Sequence, residues 1–253
     1  SRSATEWHQV HDSVRGVAKY LFTNTDSAEG ERSPNDQVTS FNSNGFSLGA
    51  GANDSVNSNG GTYASWNWKA GTALNNSAGA NGGSIATTGS ISSTSGFGIV
   101  KYVGTGSNAT IYHGLGKIPR MIITKNIDQT FHWSVYTFNS NTKILRLNGT
   151  NAEATETAFQ STHPTATVQS LGDHNQNNGA TGGSADTHIS YMFCDVPGYQ
   201  KIGSYTGNGS DTPNGVFTWL GFTPAFILIK ATDANSWVIV DNKRPTDSNP
   251  VDS

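Results

Sequence analysis

A tandem repeat limits the folds open to this chain more than any other feature of its sequence. The segment from Leu115 to Lys125 returns, with substitutions, as the segment from Leu220 to Lys230, and the prolines within them, Pro119 and Pro224, lie 105 residues apart (224 − 119). Each copy runs on to a tryptophan followed by alternating apolar residues, and the same element opens the chain. The three equivalent tryptophans are Trp7, Trp133 and Trp237. Like modules in tandem are typical of arrays rather than of a single enzyme cleft.

The residues that follow Trp7 also recur, in the same order, after Trp133. The matching triplets are Lys19-Tyr20-Leu21 with Lys143-Ile144-Leu145, Ser47-Leu48-Gly49 with Ser170-Leu171-Gly172, and Trp66-Asn67-Trp68 with Tyr191-Met192-Phe193. The chain is therefore interpreted as one whole repeat between two partial ones.

These repeats predict four parts. Residues 1–71 form the second half of a repeat, 72–95 a low-complexity connector, 96–198 a complete repeat, and 199–253 the first half of a further one. We expect 1–71 and 199–253 to pack together as one module, because an open half-sandwich would leave strand edges and apolar surface in water. For 72–95, the alternative to a linker is a strand laid over a module's edge.

The local patterns are those of strands. Met121–Thr124 and Phe226–Ile229 are short, apolar, β-branched runs, each introduced by a proline, and the runs between them are rich in turn-forming glycine and asparagine. The predicted fold class is therefore all-β, with tandem antiparallel β-sandwich modules, jelly-roll or concanavalin-like, and Gly/Ser/Asn-rich loops.

Composition excludes several function classes. Charged residues make up 13% of the chain and the net charge is −3, so the basic surplus of a nucleic-acid binder is missing. No apolar run approaches the roughly 20 residues of a membrane span, which argues against membrane insertion. The single cysteine, Cys194, lies in a predicted strand and is interpreted as a small core residue rather than a nucleophile.

Four stretches and one tryptophan carry a resemblance to a known family. Residues 96–106 and 113–126, followed by Trp133, resemble a repeat domain of unknown function that is common in virion and tail-fibre proteins of marine bacteriophages, and 61–71 and 204–210 fit the same pattern. The resemblance implies a virion structural protein in a tail fibre or surface appendage, with other virion proteins and further copies of itself as partners, and a longer parent polypeptide. It supplies no catalytic residues.

Candidate chemistry is sparse. His8 and His11 are separated by an odd offset, so on a strand their rings point to opposite faces and do not form a metal pair. The acids Asp26, Glu29 and Glu31 share a loop without calcium-binding spacing, and no glycosidase pair can be nominated. We therefore predict no catalytic residue, no metal site and no cofactor.

Aromatic residues are the remaining candidates for binding. Trp7, Trp133 and Trp237 recur at equivalent positions and are expected in the core. Trp219 stands where the first copy has His113, beside a glycine turn, and Tyr112 precedes that histidine. Tyr112, His113 and Trp219 are therefore the predicted ligand-binding residues, with a host surface glycan as the ligand. The alternatives are a purely architectural capsid decoration or tail spacer and, more remotely, a polysaccharide depolymerase.

Overall fold

The structure, a computed structural model, describes residues 7–33, 35–49, 56–210 and 214–243. Antiparallel strands account for almost all of its regular structure, so the predicted all-β class is confirmed. The strands are β1 (Gln9–Val10), β2 (Lys19–Phe22), β3 (Gly30–Glu31), β4 (Val38–Asn42), β5 (Gly45–Leu48), β6 (Thr72–Asn76), β7 (Thr87–Ser92), β8 (Phe97–Val103), β9 (Ala109–Tyr112), β10 (Pro119–Asn126), β11 (Ser134–Thr137), β12 (Lys143–Arg146), β13 (Ala154–Thr155), β14 (Val168–Leu171), β15 (Thr187–Cys194), β16 (Phe226–Ile229) and β17 (Val238–Asp241). The helical elements are the single turn α1 (Asn175–Asn178) and the 3₁₀ turns Ala80–Gly82 and Thr181–Gly183.

An eight-stranded sheet forms the centre of the molecule, in the order β13-β12-β11-β10-β15-β8-β7-β6. Its strands alternate residues between two faces, and both faces are apolar. The two-stranded sheet β14-β9 covers one face and completes a sandwich core. That core includes Val100, Ile111, Ile122, Tyr136, Leu171 and Met192.

The opposite face of this sheet is covered by both ends of the chain. From the N-terminal side, Leu21 of β2 packs among Phe97, Trp133 and Tyr191. From the C-terminal side, Trp237 packs against Val135 and Leu145, together with Leu228 of β16. The predictions that Trp133 and Trp237 are core residues are therefore confirmed.

The repeat seen in the sequence is also a repeat of strand pairing. In the hairpin β10-β11, Ile122 pairs with Tyr136, and in the hairpin β16-β17 the equivalent residues Ile227 and Val240 pair in the same way. The predicted equivalence of the segments 115–125 and 220–230 is confirmed at the level of hairpin register.

The lysine that closes each of these strands has the same role in both copies. The Nζ of Lys125 donates to the carbonyls of Asn126 (2.6 Å) and Gln129 (3.1 Å). The Nζ of Lys230 donates to Ala231 (2.7 Å) and Asp233 (2.9 Å). Lys125 is buried, and burial lowers the pKa of its ammonium to about 8. The lysine therefore ties down the loop that leads to the repeated tryptophan.

The N-terminal strands repeat the second half of the central unit. Leu21 pairs with Val10 and its equivalent Leu145 pairs with Val135, although the two registers differ by one residue relative to Trp7 and Trp133. The next strand matches fully, since Tyr20 pairs with Gly30 as Ile144 pairs with Ala154. We call residues 7–71 the N-terminal half-unit, 96–198 the central unit and 199–243 the C-terminal half-unit.

Residues 72–95 are not a linker. They form β6 and β7 at one edge of the central sheet, and their apolar residues Leu74, Ile85 and Ile91 are buried in the sandwich core. The alternative of a strand laid over a module's edge describes this segment.

The two half-units touch, but they do not form one sheet. The rings of Trp66 and Trp68 contact that of Phe226, with centroids 6.0 and 6.3 Å apart. Within the described residues, no strand of one half-unit pairs with a strand of the other. The parts of the predicted joint module in residues 1–6, 34, 50–55, 211–213 and 244–253 lie outside the described residues.

Candidate functional site

The repeated tryptophan forms the same hydrogen bond at two successive boundaries between units. The indole Nε1 of Trp133 donates to the carbonyl of Phe22 at 2.9 Å, and that of Trp237 donates to the carbonyl of Arg146 at 2.8 Å. Phe22 and Arg146 are equivalent residues, because each directly follows one of the matching triplets Lys19-Tyr20-Leu21 and Lys143-Ile144-Leu145. Each unit therefore bonds to the end of the corresponding strand in the unit before it.

A buried polar network reinforces the first of these boundaries. The hydroxyl of Tyr191 donates to the carboxylate of Asp12 at 2.7 Å, and Asp12 also forms an ion pair with Arg15. Arg15 donates further to the carbonyl of Val10 at 2.9 Å. Burial raises the pKa of Tyr191 well above its ordinary value, so this hydroxyl keeps its proton. The network holds the N-terminal half-unit on the central sheet.

Two of the predicted ligand residues lie at the end of β9. His113 is fully buried; its Nδ1 accepts from the amide of Leu115 at 3.3 Å, and its Nε2 lies 3.2 Å from the carbonyl of Thr165. Burial lowers the pKa of His113 to about 4, so the ring is neutral at pH 7. Tyr112 is half-buried against the sandwich core. His113 thus has a structural position and presents nothing to a ligand in solution.

Trp219, the third predicted ligand residue, is open to solvent. Its side chain is 76% exposed, and Phe217 beside it is also highly exposed. The structure corrects its alignment: with the two hairpins in register, Leu220 corresponds to Leu115, so Trp219 stands at the position of Gly114 rather than of His113. None of the described contacts brings Trp219 together with Tyr112 or His113.

The position of Gly114 explains why only the second copy carries a tryptophan. Gly114 has a φ of +68°, and a Cβ there would lie 3.0 Å from Ile91 and 3.1 Å from Leu74, which belong to β7 and β6. No strand corresponding to β6 or β7 covers the C-terminal half-unit within the described residues. A large side chain therefore fits at Trp219 and stays on the surface.

A cleft that was not predicted from the sequence lies elsewhere. It has a volume of about 300 Å³ and is lined by Phe131, Thr157, Asp173, His174, Asn175 and Gln176. The Nε2 of His174 lies 3.0 Å from a carboxylate oxygen of Glu156. Gln176 is almost fully buried, and its Oε1 has no hydrogen-bond partner among the described residues. An aromatic ring, a carboxylate and other polar side chains line this cleft, which suits a small polyhydroxylated ligand.

This cleft had no signal in the linear sequence. Glu156 and His174 sit in separate polar loops and come together because the amide of Gly172 donates to the carbonyl of Ala158 and the hydroxyl of Thr157 donates to Asp173. The helical turn α1, which follows His174, consists only of asparagine and glutamine and yet is largely buried. Only the tertiary fold therefore identifies these polar residues as more than loop surface.

A second, smaller cleft of about 230 Å³ lies beside Arg120. The guanidinium carbon of Arg120 is 4.0 Å from the centre of the Phe138 ring, and Lys201 lies in the same wall. Asp195 bonds to Lys201 at 2.8 Å and lies 3.7 Å from Arg120. The Asp195 carboxylate thus neutralises part of the positive charge of Arg120 and Lys201, and both side chains already have an anionic partner.

The remaining candidates are structural. Cys194 is buried, and burial raises the pKa of its thiol to about 11, which confirms the prediction of a core residue. The ring of His11 bonds to the carbonyl of Lys19 at 2.9 Å, and burial lowers its pKa to about 4.

Among the described residues, no group of three or more His, Cys, Asp or Glu side chains could hold a metal ion. The helices of the described ranges are all too short to cross a bilayer.

Comparison with known proteins finds one family. The model of a domain of unknown function, DUF7483, matches residues 1–253. The chain belongs to this family. Neither the curated proteins nor the solved structures gave a match. Membership in the DUF7483 family leaves the activity open, so a functional conclusion has to come from the repeat boundaries and the exposed aromatic residues.

Proposed function

We propose that this DUF7483 chain is a non-enzymatic structural module of a bacteriophage virion, built into a tail fibre or another surface appendage. The observation that carries the proposal is the repeated boundary, in which Trp133 bonds to Phe22 and Trp237 to Arg146 through the same atoms. A boundary that recurs from unit to unit builds an extended array. The virion assignment is supported by the sequence resemblance of residues 96–106 and 113–126 to phage virion repeats.

The module's contact with its host is proposed to run through the loop that carries Trp219. An exposed indole stacks against the apolar face of a sugar ring, and phage appendages meet bacteria at surface polysaccharides. Trp219 and its neighbour Phe217 form an exposed aromatic pair of the kind that such binding requires.

The test of glycan contact is binding of the purified chain to an array of bacterial surface polysaccharides. Trp219→Ala should lose at least tenfold in binding to the glycans that the parent chain selects. Trp7→Ala is the matched control, because Trp7 is an exposed indole in the other half-unit, and it should bind as the parent does. Equal binding by all three proteins, or by none, rejects the glycan role and leaves the architectural alternative.

The virion location has its own test. Gold-labelled antibodies against the chain should decorate tail fibres or another appendage in electron micrographs of phage particles. Labelling confined to capsid faces would favour the decoration alternative, and particles without any label would refute the proposal.

A second candidate function is polysaccharide cleavage, favoured by the cleft that brings Asp173 and the Glu156–His174 pair together. Release of reducing ends from a polysaccharide by the parent chain, abolished in Glu156→Gln, would establish it. The proposed non-enzymatic role predicts that no reducing ends appear with either protein.

A further inference from the structure

The central unit shows how the two halves of a repeat fit together. Strand β9, from its first half, pairs with β14, from its second half, and this pairing sets Ile111 opposite Gln169. Ile111, Gln169 and Leu171 point into the sandwich core and are buried. The union of the two halves thus buries one apolar strand of each.

The N-terminal half-unit exposes the residues that correspond to β14. Gly49 donates its amide to Gln37 at 2.8 Å as Gly172 donates to Ala158 at 2.9 Å, so the two segments have the same local fold. This match places Leu48 at the position of Leu171 and Phe46 at that of Gln169. Leu48 is 37% exposed and Phe46 is similarly exposed, although both stand at core positions.

The C-terminal half-unit exposes the segment that corresponds to β9, and within the described residues this segment has no strand pairing. Its hairpin register places Val216 at the position of Ile111 and Phe217 at that of Tyr112. Val216 is 42% exposed, whereas Ile111 is fully buried. One chain therefore carries two uncovered apolar surfaces that are the two sides of the same kind of interface.

Among the contacts of the described residues, none joins these two surfaces within one chain. The N-terminal half-unit is held on the central sheet by Trp133 and the Asp12–Tyr191 bond, and the C-terminal half-unit is held there by Trp237. With these contacts formed, β5 pairs with β4 and, within the described residues, with no strand of the C-terminal half-unit. The exposed residues of β5 and of the segment around Val216 therefore remain open to another molecule.

We infer that the C-terminal half-unit of one copy binds the N-terminal half-unit of a second copy, completing a composite module that reproduces the central unit. In this pairing Val216 of one copy lies opposite Phe46 of the next and diagonal to Leu48, as Ile111 lies opposite Gln169 and diagonal to Leu171. The two surfaces differ, so the contact is heterologous and propagates head to tail. This inference goes beyond the proposed virion role, because it concerns how copies join and not what they contact.

The test is sedimentation velocity of the full chain over a range of concentrations. The parent chain should show a weight-average mass that grows well beyond one chain as concentration rises. Leu48→Asp and Val216→Asp should each sediment as monomers, because each places a carboxylate in the apolar contact. Ile118→Asp is the matched control: Ile118 is an exposed apolar residue of the central unit, and this variant should associate as the parent does.

Mixing the two defective variants distinguishes this interface from other modes of association. The Leu48→Asp chain retains an intact C-terminal half-unit and the Val216→Asp chain an intact N-terminal half-unit. An equimolar mixture should therefore form dimers and stop there. Three results would each overturn the inference: a parent chain that remains monomeric, variants that associate like the parent, or a mixture that remains monomeric. A monomeric parent chain would indicate that the half-units close on each other within one chain or are completed by other sequence.

A cross-linking experiment covers the case in which an aspartate variant fails to fold. Ser170 pairs with Thr110, and the corresponding residues in the half-units are Ser47 and Gly215. A Ser47→Cys chain mixed with a Gly215→Cys chain should give a disulfide-linked dimer, since the native Cys194 is buried. Absence of that dimer refutes the interface. Trp219→Ala should leave association unchanged, since its equivalent Gly114 faces β6 and β7 rather than β14, so failure of the glycan proposal and failure of this inference are separable.

Discussion

The three equivalent tryptophans provide an internally controlled measurement of what the repeat boundary contributes to stability. Trp133 is 1% exposed and bonds to Phe22, whereas Trp7 is 53% exposed and, among its described contacts, meets only the edge of the Phe22 ring at 4.6 Å. The same substitution, tryptophan to phenylalanine, therefore changes chemically identical residues in opposite environments.

The magnitude follows from the contacts. Trp133→Phe leaves the buried Phe22 carbonyl without its donor, which costs about 1 to 3 kcal/mol. Loss of the larger ring adds about 1 to 2 kcal/mol from lost apolar burial and the cavity left behind. We expect a total near 3 kcal/mol for Trp133→Phe, against less than about 0.5 kcal/mol for Trp7→Phe, as for other exposed sites.

The assay is urea unfolding followed by far-ultraviolet circular dichroism for the parent chain and both variants. Replacement of Trp133 by benzothienylalanine, which keeps the ring shape but lacks the N–H, separates the hydrogen bond from the volume and should lose about 1 to 3 kcal/mol. For Trp237→Phe, the loss should appear mainly as faster amide exchange in β16 and β17, because that hairpin can open locally. Equal losses for Trp7→Phe and Trp133→Phe, or no loss for Trp133→Phe, would refute the reasoning.

Three further predictions follow from single sites. The pKa of His113 falls from 6.5 to about 4 on folding, so its contribution to stability is present above pH 6.5 and is lost as the pH falls through 4. The free energy of unfolding should drop by about 3 kcal/mol over that interval. The His113→Gln variant should show a shallower pH dependence in urea titrations. Gly172→Ala should lower the free energy of unfolding by more than about 3 kcal/mol, since its Cβ would lie 1.7 Å from the carbonyl oxygen of Thr157. Gly45→Ala, with open space around it, should change that free energy by no more than about 1 kcal/mol. Similar melting temperatures for the two variants would contradict the packing argument. Arg15→Met should lower the free energy of unfolding by about 3 to 5 kcal/mol, because it leaves the buried carboxylate of Asp12 without its ion-pair partner. The double variant Arg15→Met, Asp12→Asn should recover part of that loss in thermal unfolding.

The burial of the predicted core tryptophans shows where sequence reasoning stopped. Trp133 and Trp237 are buried as expected, but the prediction for Trp7 is wrong, since its side chain is mostly exposed. Equivalent sequence positions have the same intrinsic preference for burial, but burial also needs a neighbouring unit to cover the residue. The strand ends at Phe22 and Arg146 provide that cover for Trp133 and Trp237, and the described residues provide none for Trp7.

The repeat, the all-β class and the hairpins β10-β11 and β16-β17 could be predicted from the sequence, because apolar alternation and turn residues are local properties that survive in each copy. Three features emerge only from the folded chain: residues 72–95 form two strands of the central sheet, His113 is buried while Trp219 is exposed, and Glu156 meets His174 beside a cleft. Each of these depends on contacts between residues far apart in the chain. Such contacts are set by which surface of one unit is covered by the next, and a pattern within one repeat does not encode that.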